Sequence, residues 1–187
     1  MLINFIGCPQ SGKTTIAAML FASMKETGMV AEFNPEQARF YIAKLRVKKG
    51  LRPDDVVLTD EDQFQIMKAQ VEADEIFVKA CGERVFIVSD SSPLNSMLYM
   101  TPEFRKEPKV QVLVERSMAL KSLTFHMYPI YRPYLEDPNR IHGEQQSREI
   151  DSRIPGLLQV VQDLQVTPVD GTVSERLLLV QNRIHFA

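Results

Sequence analysis

The stretch GCPQSGKTT, residues 7–15, constrains the fold of this chain more than any other segment. Gly7, Gly12, Lys13 and Thr14 have the spacing G-x-x-x-x-G-K-[ST], and they stand between a short apolar run and a stretch of helical periodicity. In that context glycines let backbone N–H groups turn inward around phosphate oxygens, at the positive end of the following helix. The segment therefore predicts a phosphate-binding loop between a first strand and a first helix.

The residue types of this loop indicate what each would do. Lys13 is long enough to reach the β- and γ-phosphates of a nucleotide, and the hydroxyl of Thr14 would ligate Mg²⁺. The residues expected to contact the nucleotide are Gly7, Gln10, Ser11, Gly12, Lys13, Thr14 and Thr15. The alternative is a glycine turn before a helix, with a solvated lysine. The loop predicts ATP or GTP as ligand, together with Mg²⁺.

Short apolar runs alternate with longer stretches of helical periodicity, a pattern typical of an α/β fold with a mainly parallel sheet. The expected strands are residues 2–6, 29–33, 85–88, 123–127 and 165–169. Nearly unbroken apolar runs in the first and third predict helices on both faces of the sheet. Pro168 cannot donate to a ladder and so indicates an edge position for the fifth strand. A chain of 187 residues is expected to form a single domain.

Several of the expected helices have readable ends. Asn34 followed by Pro35 predicts a helix start in which Asn34 is the cap. Thr59 with Asp62 resembles a capping box, and the apolar stripe that follows should end at Gly82.

Composition narrows the class of protein. The net charge is -2, so no overall attraction to nucleic acid or to an anionic membrane is expected. Cys8 and Cys81 are the two cysteines, and Cys8 lies inside the loop, which argues against a disulfide and for a reducing compartment. Since no apolar run approaches the length of a membrane span, we expect a cytoplasmic protein.

An aspartate follows the third expected strand in RVFIVSDSS. Ligands of a parallel sheet lie beyond the carboxyl ends of its strands, so Asp90 should face the same crevice as the loop. There it would hold Mg²⁺ or take the proton from an attacking hydroxyl. The alternative is a turn or capping aspartate, because Ser91, Ser92 and Pro93 also form a good helix start.

The same geometry brings Glu36 and Arg39, in NPEQAR, close to the nucleotide. A carboxylate and a guanidinium in that position suit gripping an acceptor or accepting its proton. The alternative is an ordinary exposed helical turn in which the helix dipole favours Glu36. The residues leave open whether Asp90 or Glu36 is the general base.

Missing motifs reduce the classes of nucleotide-binding protein that fit. No N-K-x-D or D-x-x-G element is present, which argues against a signalling GTPase, and Ser91 stands where motor-type ATPases usually have a second carboxylate.

A kinase must close over its substrates to exclude water. Residues 131–153 are the expected lid, ahead of a helix that Pro155-Gly156 should interrupt. One arginine of the lid would neutralise charge on the transferred phosphoryl group. The arginines of the lid are Arg132, Arg140, Arg148 and Arg153.

Four segments together with the lid resemble the small P-loop kinases typified by the ribosylnicotinamide kinase domain of NadR-type proteins, often placed with AAA-type ATPase domains. They are the loop, NPEQARFYI, FIVSDSSPLNSMLY and LTFHMYPIYRPYLEDPNR. The resemblance implies a P-loop NTPase fold with strand order 2-3-1-4-5, bound ATP and Mg²⁺, and phosphoryl transfer to a hydroxyl of a nucleoside- or nucleotide-like acceptor.

By position, the resemblance makes Asp90 the acid after strand three and Arg140 the arginine that opens the lid. It makes Glu36 and Arg39 an acceptor-binding pair, to which we add Arg148 and Arg153 as substrate-binding residues of the lid. The chain departs from the group at Ser91, where related kinases usually have arginine, and in the expected break of the lid helix.

Three activities stay open: a nucleoside or nucleotide kinase, a kinase acting on a hydroxymethylated base within DNA, as in bacteriophage DNA modification, and a non-kinase ATPase or nucleotide switch. The DNA alternative depends on a basic run that would track a phosphate backbone, with Phe40 among the aromatic residues able to stack on a base. The run consists of Lys44, Arg46, Lys48, Lys49 and Arg52. A solvated helix end is the alternative explanation. The oligomeric state is left open.

Overall fold

A parallel sheet forms the centre of the computed structural model, which describes residues 1–52, 55–82, 84–129, 143–161 and 164–185. Its strands are β1 (Leu2–Ile6), β2 (Ala31–Asn34), β3 (Phe86–Ser89), β4 (Ser122–Met127) and β5 (Val166–Val169). They lie in the order β2-β3-β1-β4-β5, and each neighbouring pair is parallel. The α/β P-loop NTPase fold and its strand order are thereby confirmed. Strand β5 lies at an edge, as Pro168 predicts.

Helices cover both faces of this sheet. The described helices are α1 (Lys13–Glu26), α2 (Gln37–Lys49), α3 (Asp60–Cys81), a 3₁₀ helix (Pro93–Leu98), α4 (Pro102–Arg105), α5 (Pro108–Met118), α6 (Glu144–Val160) and α7 (Val173–His185). Alternating residues of β1 face two apolar layers: Ile3 and Phe5 pack with α1 and α7, whereas Ile6 packs with α3, α5 and α6. No helix in the described ranges has the length and hydropathy needed to cross a membrane.

The two expected helix starts have different outcomes. The capping box of α3 is confirmed, because the Thr59 hydroxyl accepts from the Asp62 N–H while the Asp62 carboxylate accepts from the Thr59 N–H at 2.9 Å. The expected cap at Asn34 is wrong. Asn34 ends β2, and α2 begins at Gln37 with Glu36 as its N-cap. Asn34 does not cap α2 because it is still part of the strand, and its buried side chain is turned toward Asp74, to which its amide group donates.

The expected break at Pro155 is also wrong, because α6 runs through this residue without interruption. Pro155 removes one backbone donor, but Ile150, Ile154 and Leu157 all face the same apolar layer and are buried. Burying these side chains on both sides of Pro155 holds the two halves of the helix on one core. Residues 131–142 of the expected lid, including Arg132 and Arg140, lie outside the described residues.

Candidate active site

The loop between β1 and α1 has a backbone conformation that requires glycine at two positions. Gly12 has φ of 88° and Gln10 has φ of 64°, so both lie in the left-handed region. A Cβ atom at Gly7 would lie 2.5 Å from Ser11 Oγ and 2.8 Å from the Met127 carbonyl oxygen, so no side chain fits there. The chain therefore bends tightly between the strand and the helix.

The first turn of α1 points its N–H groups at this loop. Gly12 is the N-cap and supplies no side-chain hydrogen bond. The early N–H groups of a helix need partners from outside the helix, and phosphate oxygens are suitable ones. Ser11 is a buried residue of the loop, whereas Thr15 is exposed on the first turn of α1. The backbone thus supports the predicted phosphate site.

Lys13 bends back across the loop. Its ammonium group donates to the carbonyl oxygen of Gly7 at 2.8 Å and to that of Cys8 at 2.9 Å. These bonds keep the positive charge of Lys13 over the same loop that the N–H groups line. An anion held by the loop would meet this charge directly.

The expected site residues on neighbouring elements meet beside Thr14. Arg39 donates to the Thr14 hydroxyl at 3.1 Å and to the Glu36 carboxylate at 3.0 Å. Asp90, directly after β3, is 4% exposed, and its backbone N–H donates to the Asn34 carbonyl oxygen at 2.9 Å. The structure therefore brings together residues from three strand ends, as the sequence predicts.

Electrostatics at Asp90 follow from this arrangement. Burial raises the pKa of the Asp90 carboxyl, and the nearby charge of Glu36 raises it further, while Thr14, Lys13 and Arg39 oppose the shift. An additional cation close to this buried carboxyl group would stabilise its charged form.

The oxygen atoms of Thr14 and Asp90 are of the type that Mg²⁺ prefers as ligands. Asp90 Oδ1 is buried and has no hydrogen-bond partner among the described residues, an arrangement that costs free energy unless another group completes it. Within the described ranges, no three or more His, Cys, Asp or Glu side chains form a metal-binding group. A metal at this position would therefore take most of its ligands from phosphate and water, which is how Mg²⁺ is usually bound beside nucleotides.

The lid arginines that the structure describes have partners elsewhere. Arg148 pairs with Glu144 on the same helix at 2.7 Å, and its side chain is 79% exposed. Arg153 donates to the Leu98 carbonyl oxygen at 2.9 Å, which fastens α6 to the 3₁₀ helix. Their roles in substrate binding stay predictions, as does the catalytic role of Arg140.

Helix α6 nevertheless reaches the phosphate loop. The Ser147 hydroxyl donates to the Pro9 carbonyl oxygen at 2.7 Å. Beside this contact, Cys8 is 1% exposed and packs in the apolar layer under α6. Burial raises the pKa of the Cys8 thiol, which therefore stays protonated and acts as a packing group.

A buried polar network that was not predicted from the sequence lies under the carboxyl ends of β2 and β3. Asp74 of α3 is fully buried and accepts from Asn34 Nδ2 at 2.6 Å and from Ser89 Oγ at 2.9 Å. Gln70 donates to Ser89 Oγ at 3.1 Å and accepts from the Gln37 N–H at 3.0 Å. Burial raises the pKa of Asp74 to about 7.

A sequence signal for this network exists. Gln63, Gln70 and Asp74 share the apolar stripe of α3 with Ile66, Met67 and Val71, all of them buried. Polar residues on the buried face of a helix need buried partners. That spacing indicates an internal polar contact, although it does not identify the strands involved.

The same fold occurs in solved structures of low sequence identity. The NadR protein in complex with NAD and AMP-PNP has a TM-score of 0.70 at 16% identity, with 98% of this chain and 48% of that chain covered. This chain thus spans about half the length of the NadR protein. Thymidylate kinase from Candida albicans has a TM-score of 0.69 at 18% identity, with 99% and 91% covered.

Deoxyadenosine kinase from M. mycoides, with bound dATP, has a TM-score of 0.58 at 15% identity and 99% of both chains covered. At these identities the likeness shows the fold. No curated protein matches the sequence. The sequence model of the AAA domain family matches residues 2–176, and the chain belongs to that family.

Proposed function

We propose that the protein is an ATP-dependent kinase that transfers a phosphoryl group to a hydroxyl of a nucleoside- or nucleotide-like acceptor. The observation that carries this proposal is the position of Arg39, which bonds to Thr14 of the phosphate loop and to Glu36 beyond β2. The loop that would hold the triphosphate is thereby adjacent to the charged pair that would bind the phosphoryl acceptor. The fold shared with thymidylate kinase and deoxyadenosine kinase supports the proposal.

The residues of the donor side bind and orient the triphosphate. N–H groups of the loop would hold the phosphate oxygens, and Lys13 would neutralise charge on the phosphoryl group in transfer. Thr14 and Asp90 would hold Mg²⁺, which when bound neutralises the β- and γ-phosphates. Asp90 is suited to this task because it is buried next to Thr14.

Glu36 is the better placed of the two acidic residues to act as general base. Its side chain is 26% exposed, whereas Asp90 is almost inaccessible. An acceptor hydroxyl can approach Glu36 from solvent, and the bond from Arg39 orients the carboxylate. We therefore assign proton removal to Glu36 and metal binding to Asp90.

The direct test uses γ-labelled ATP and a panel of acceptors: nucleosides, nucleoside monophosphates, and DNA with and without hydroxymethylated bases. Label should appear on one acceptor class and should be absent with Lys13→Ala. ATP hydrolysis at the same rate with every acceptor and with none would instead indicate an ATPase or nucleotide switch.

A polymer acceptor is the second candidate, and helix α2 is the observation that favours it. Helix α2 begins directly after Glu36 and has no buried residue. Phe40 is 63% exposed, with the Lys44 ammonium 4.7 Å from its ring centre. Exposed aromatic and basic groups along one helix suit a single strand, whose bases stack while its phosphates meet cations.

Two features of the basic run weaken the polymer candidate. Arg52 forms an ion pair with Asp55 at 3.0 Å, which neutralises one charge of the basic run. Arg46, Lys48 and Lys49 lie in the last turn of α2, where the helix dipole favours cations in any protein. We therefore propose the small acceptor first and the hydroxymethylated base within DNA second.

A further inference from the structure

A buried arginine of α7 donates hydrogen bonds to backbone carbonyl groups of three separate segments. Arg176 is 1% exposed, although arginine is rarely buried without partners. Its guanidinium nitrogens donate to the carbonyl oxygens of Gly171 (2.7 Å), Tyr128 (2.8 Å), Ser11 (2.9 Å) and Pro129 (3.5 Å), and to the Asp170 carboxylate (3.3 Å).

These acceptors lie at the carboxyl ends of three adjacent strands. Ser11 belongs to the loop after β1, Tyr128 follows β4, and Gly171 follows β5. The planar guanidinium presents donors in fixed directions, so it holds its acceptors in one relative arrangement. Arg176 therefore fixes the phosphate loop relative to two neighbouring turns of the same sheet edge.

The charge of Arg176 is only weakly compensated. Asp170, its acidic partner, has a side chain that is 62% exposed, and the remaining partners are neutral carbonyl groups. Burial lowers the pKa of Arg176, yet an arginine remains charged at neutral pH. A cation therefore lies beneath the phosphate loop.

The bond to Ser11 also determines how one peptide of the loop is oriented. Across a planar trans peptide, the carbonyl of Ser11 and the N–H of Gly12 point in opposite directions. Arg176 holds that carbonyl oxygen on the protein side of the loop. The Gly12 N–H is consequently turned to the other side, where a phosphate would bind.

We infer that Arg176 is a positioning residue for the phosphate loop, which by holding the Ser11 carbonyl oxygen directs the Gly12 N–H toward a bound phosphate. The inference rests on the nucleotide-binding part of the proposed function and is independent of the acceptor. Replacing Arg176 should therefore weaken contacts to the distal phosphates and leave contacts to the rest of the nucleotide unchanged.

The test measures the dissociation constants of MgATP and AMP for Arg176→Lys and Arg176→Met by calorimetry. We expect about tenfold weaker MgATP binding with Met, a smaller loss with Lys, and AMP binding within about twofold of the original. Arg183→Met, at an exposed position of the same helix, is the matched control and should change neither constant. An equal loss for both ligands would reduce Arg176 to a general structural role and overturn the inference.

A second measurement reports on Gly12 itself and covers the case in which the Met variant does not fold. The chain has only eight glycines, so glycine-selective ¹⁵N labelling gives a small set of amide signals. The Gly12 signal should shift on addition of MgATP and should shift less in Arg176→Lys. An identical shift in both proteins would overturn the inference. Failure of the unsubstituted protein to bind MgATP would overturn the inference and the proposed function together, whereas binding without transfer would overturn the kinase alone.

Discussion

The side-chain amide of Asn34 donates a 2.6 Å hydrogen bond to the buried carboxyl group of Asp74. Ser89 donates to the same carboxyl oxygen at 2.9 Å. Asn34 ends β2 two positions before Glu36, and Ser89 ends β3 directly before Asp90. Asp74 therefore joins the two strand ends that carry both acidic side chains of the candidate active site.

The first prediction concerns the charge of Asp74. Its pKa of about 7 in the folded protein lies above the ordinary value of 3.8, so folding favours the protonated form. The stability this gives is fully present below about pH 4 and is lost as the pH rises to about 7. Protonation would turn the Oδ2 atom of Asp74 into a hydrogen-bond donor, and this atom is buried with no hydrogen-bond partner among the described residues.

Asp74→Asn keeps the shape and a donor at every pH. We expect the original protein to lose on the order of 2–4 kcal/mol relative to Asp74→Asn as the pH rises from about 4 to about 7. Urea unfolding across this range measures the difference. Parallel pH profiles for the two proteins would show that folding does not raise the pKa of Asp74 and would contradict this prediction.

Lys13→Ala should lower the rate of phosphoryl transfer by about two orders of magnitude or more, because it removes a positive charge close to the transferred group. The Lys13 ammonium donates to carbonyl oxygens of the loop and lies outside the apolar layers of the core, so the fold should persist. Calorimetry with ATP should show weakened binding. The melting temperature should be close to that of the control Lys68→Ala, which changes an exposed lysine of α3. Unchanged ATP affinity would contradict the assignment of the loop.

Asp90→Asn should retain ATP binding and lose most turnover, since the substitution removes a metal ligand and leaves the loop intact. Because the pKa of Asp90 is raised by burial and by Glu36, protons should compete with Mg²⁺ at a higher pH than for an ordinary aspartate. Magnesium titrations of turnover at several pH values measure this competition. Turnover near that of the original protein would leave Asp90 with only a structural role.

The lid arginines can be separated by kinetics. Arg140→Ala should lower kcat with little change in ATP affinity, because the expected role of Arg140 is to neutralise charge in the transition state. Arg148, which pairs with Glu144 in this structure, should affect the KM of the acceptor if it binds substrate. Steady-state kinetics of the two variants test both roles, and a pure rise in acceptor KM for Arg140→Ala would place that residue in substrate binding.

Local features of the sequence predicted much of this site. Gly7, Gly12, Lys13 and Thr14 are neighbours along the chain, and their spacing contains the geometry of the loop. Residues that follow parallel strands are also easy to place, because the carboxyl ends of these strands lie at one edge of the sheet. This rule correctly predicted that Glu36, Arg39 and Asp90 lie close to the loop.

Contacts between distant residues could not be predicted in the same way. Asn34 suits a helix cap by residue type, but it ends β2 and its side chain is turned toward Asp74, forty positions away in the sequence. Arg176 lies 165 positions from Ser11 and resembles any charged residue of an amphipathic helix. Pro155 suggested a break because local propensity contains no information about the packing of Ile154 and Leu157.

The last prediction decides between a small and a polymeric acceptor through helix α2. If DNA binds there, Lys44→Gln and Lys48→Gln should each weaken the dependence of log(kcat/KM) on log salt by about 0.7–0.9, since each removes one phosphate contact. Transfer to a free nucleoside should be nearly insensitive to salt in every variant. Lys79→Gln, at an exposed position of α3, provides a matched control. Equal salt dependence in all variants with a DNA acceptor would contradict docking along α2, because no phosphate contact would then depend on Lys44 or Lys48.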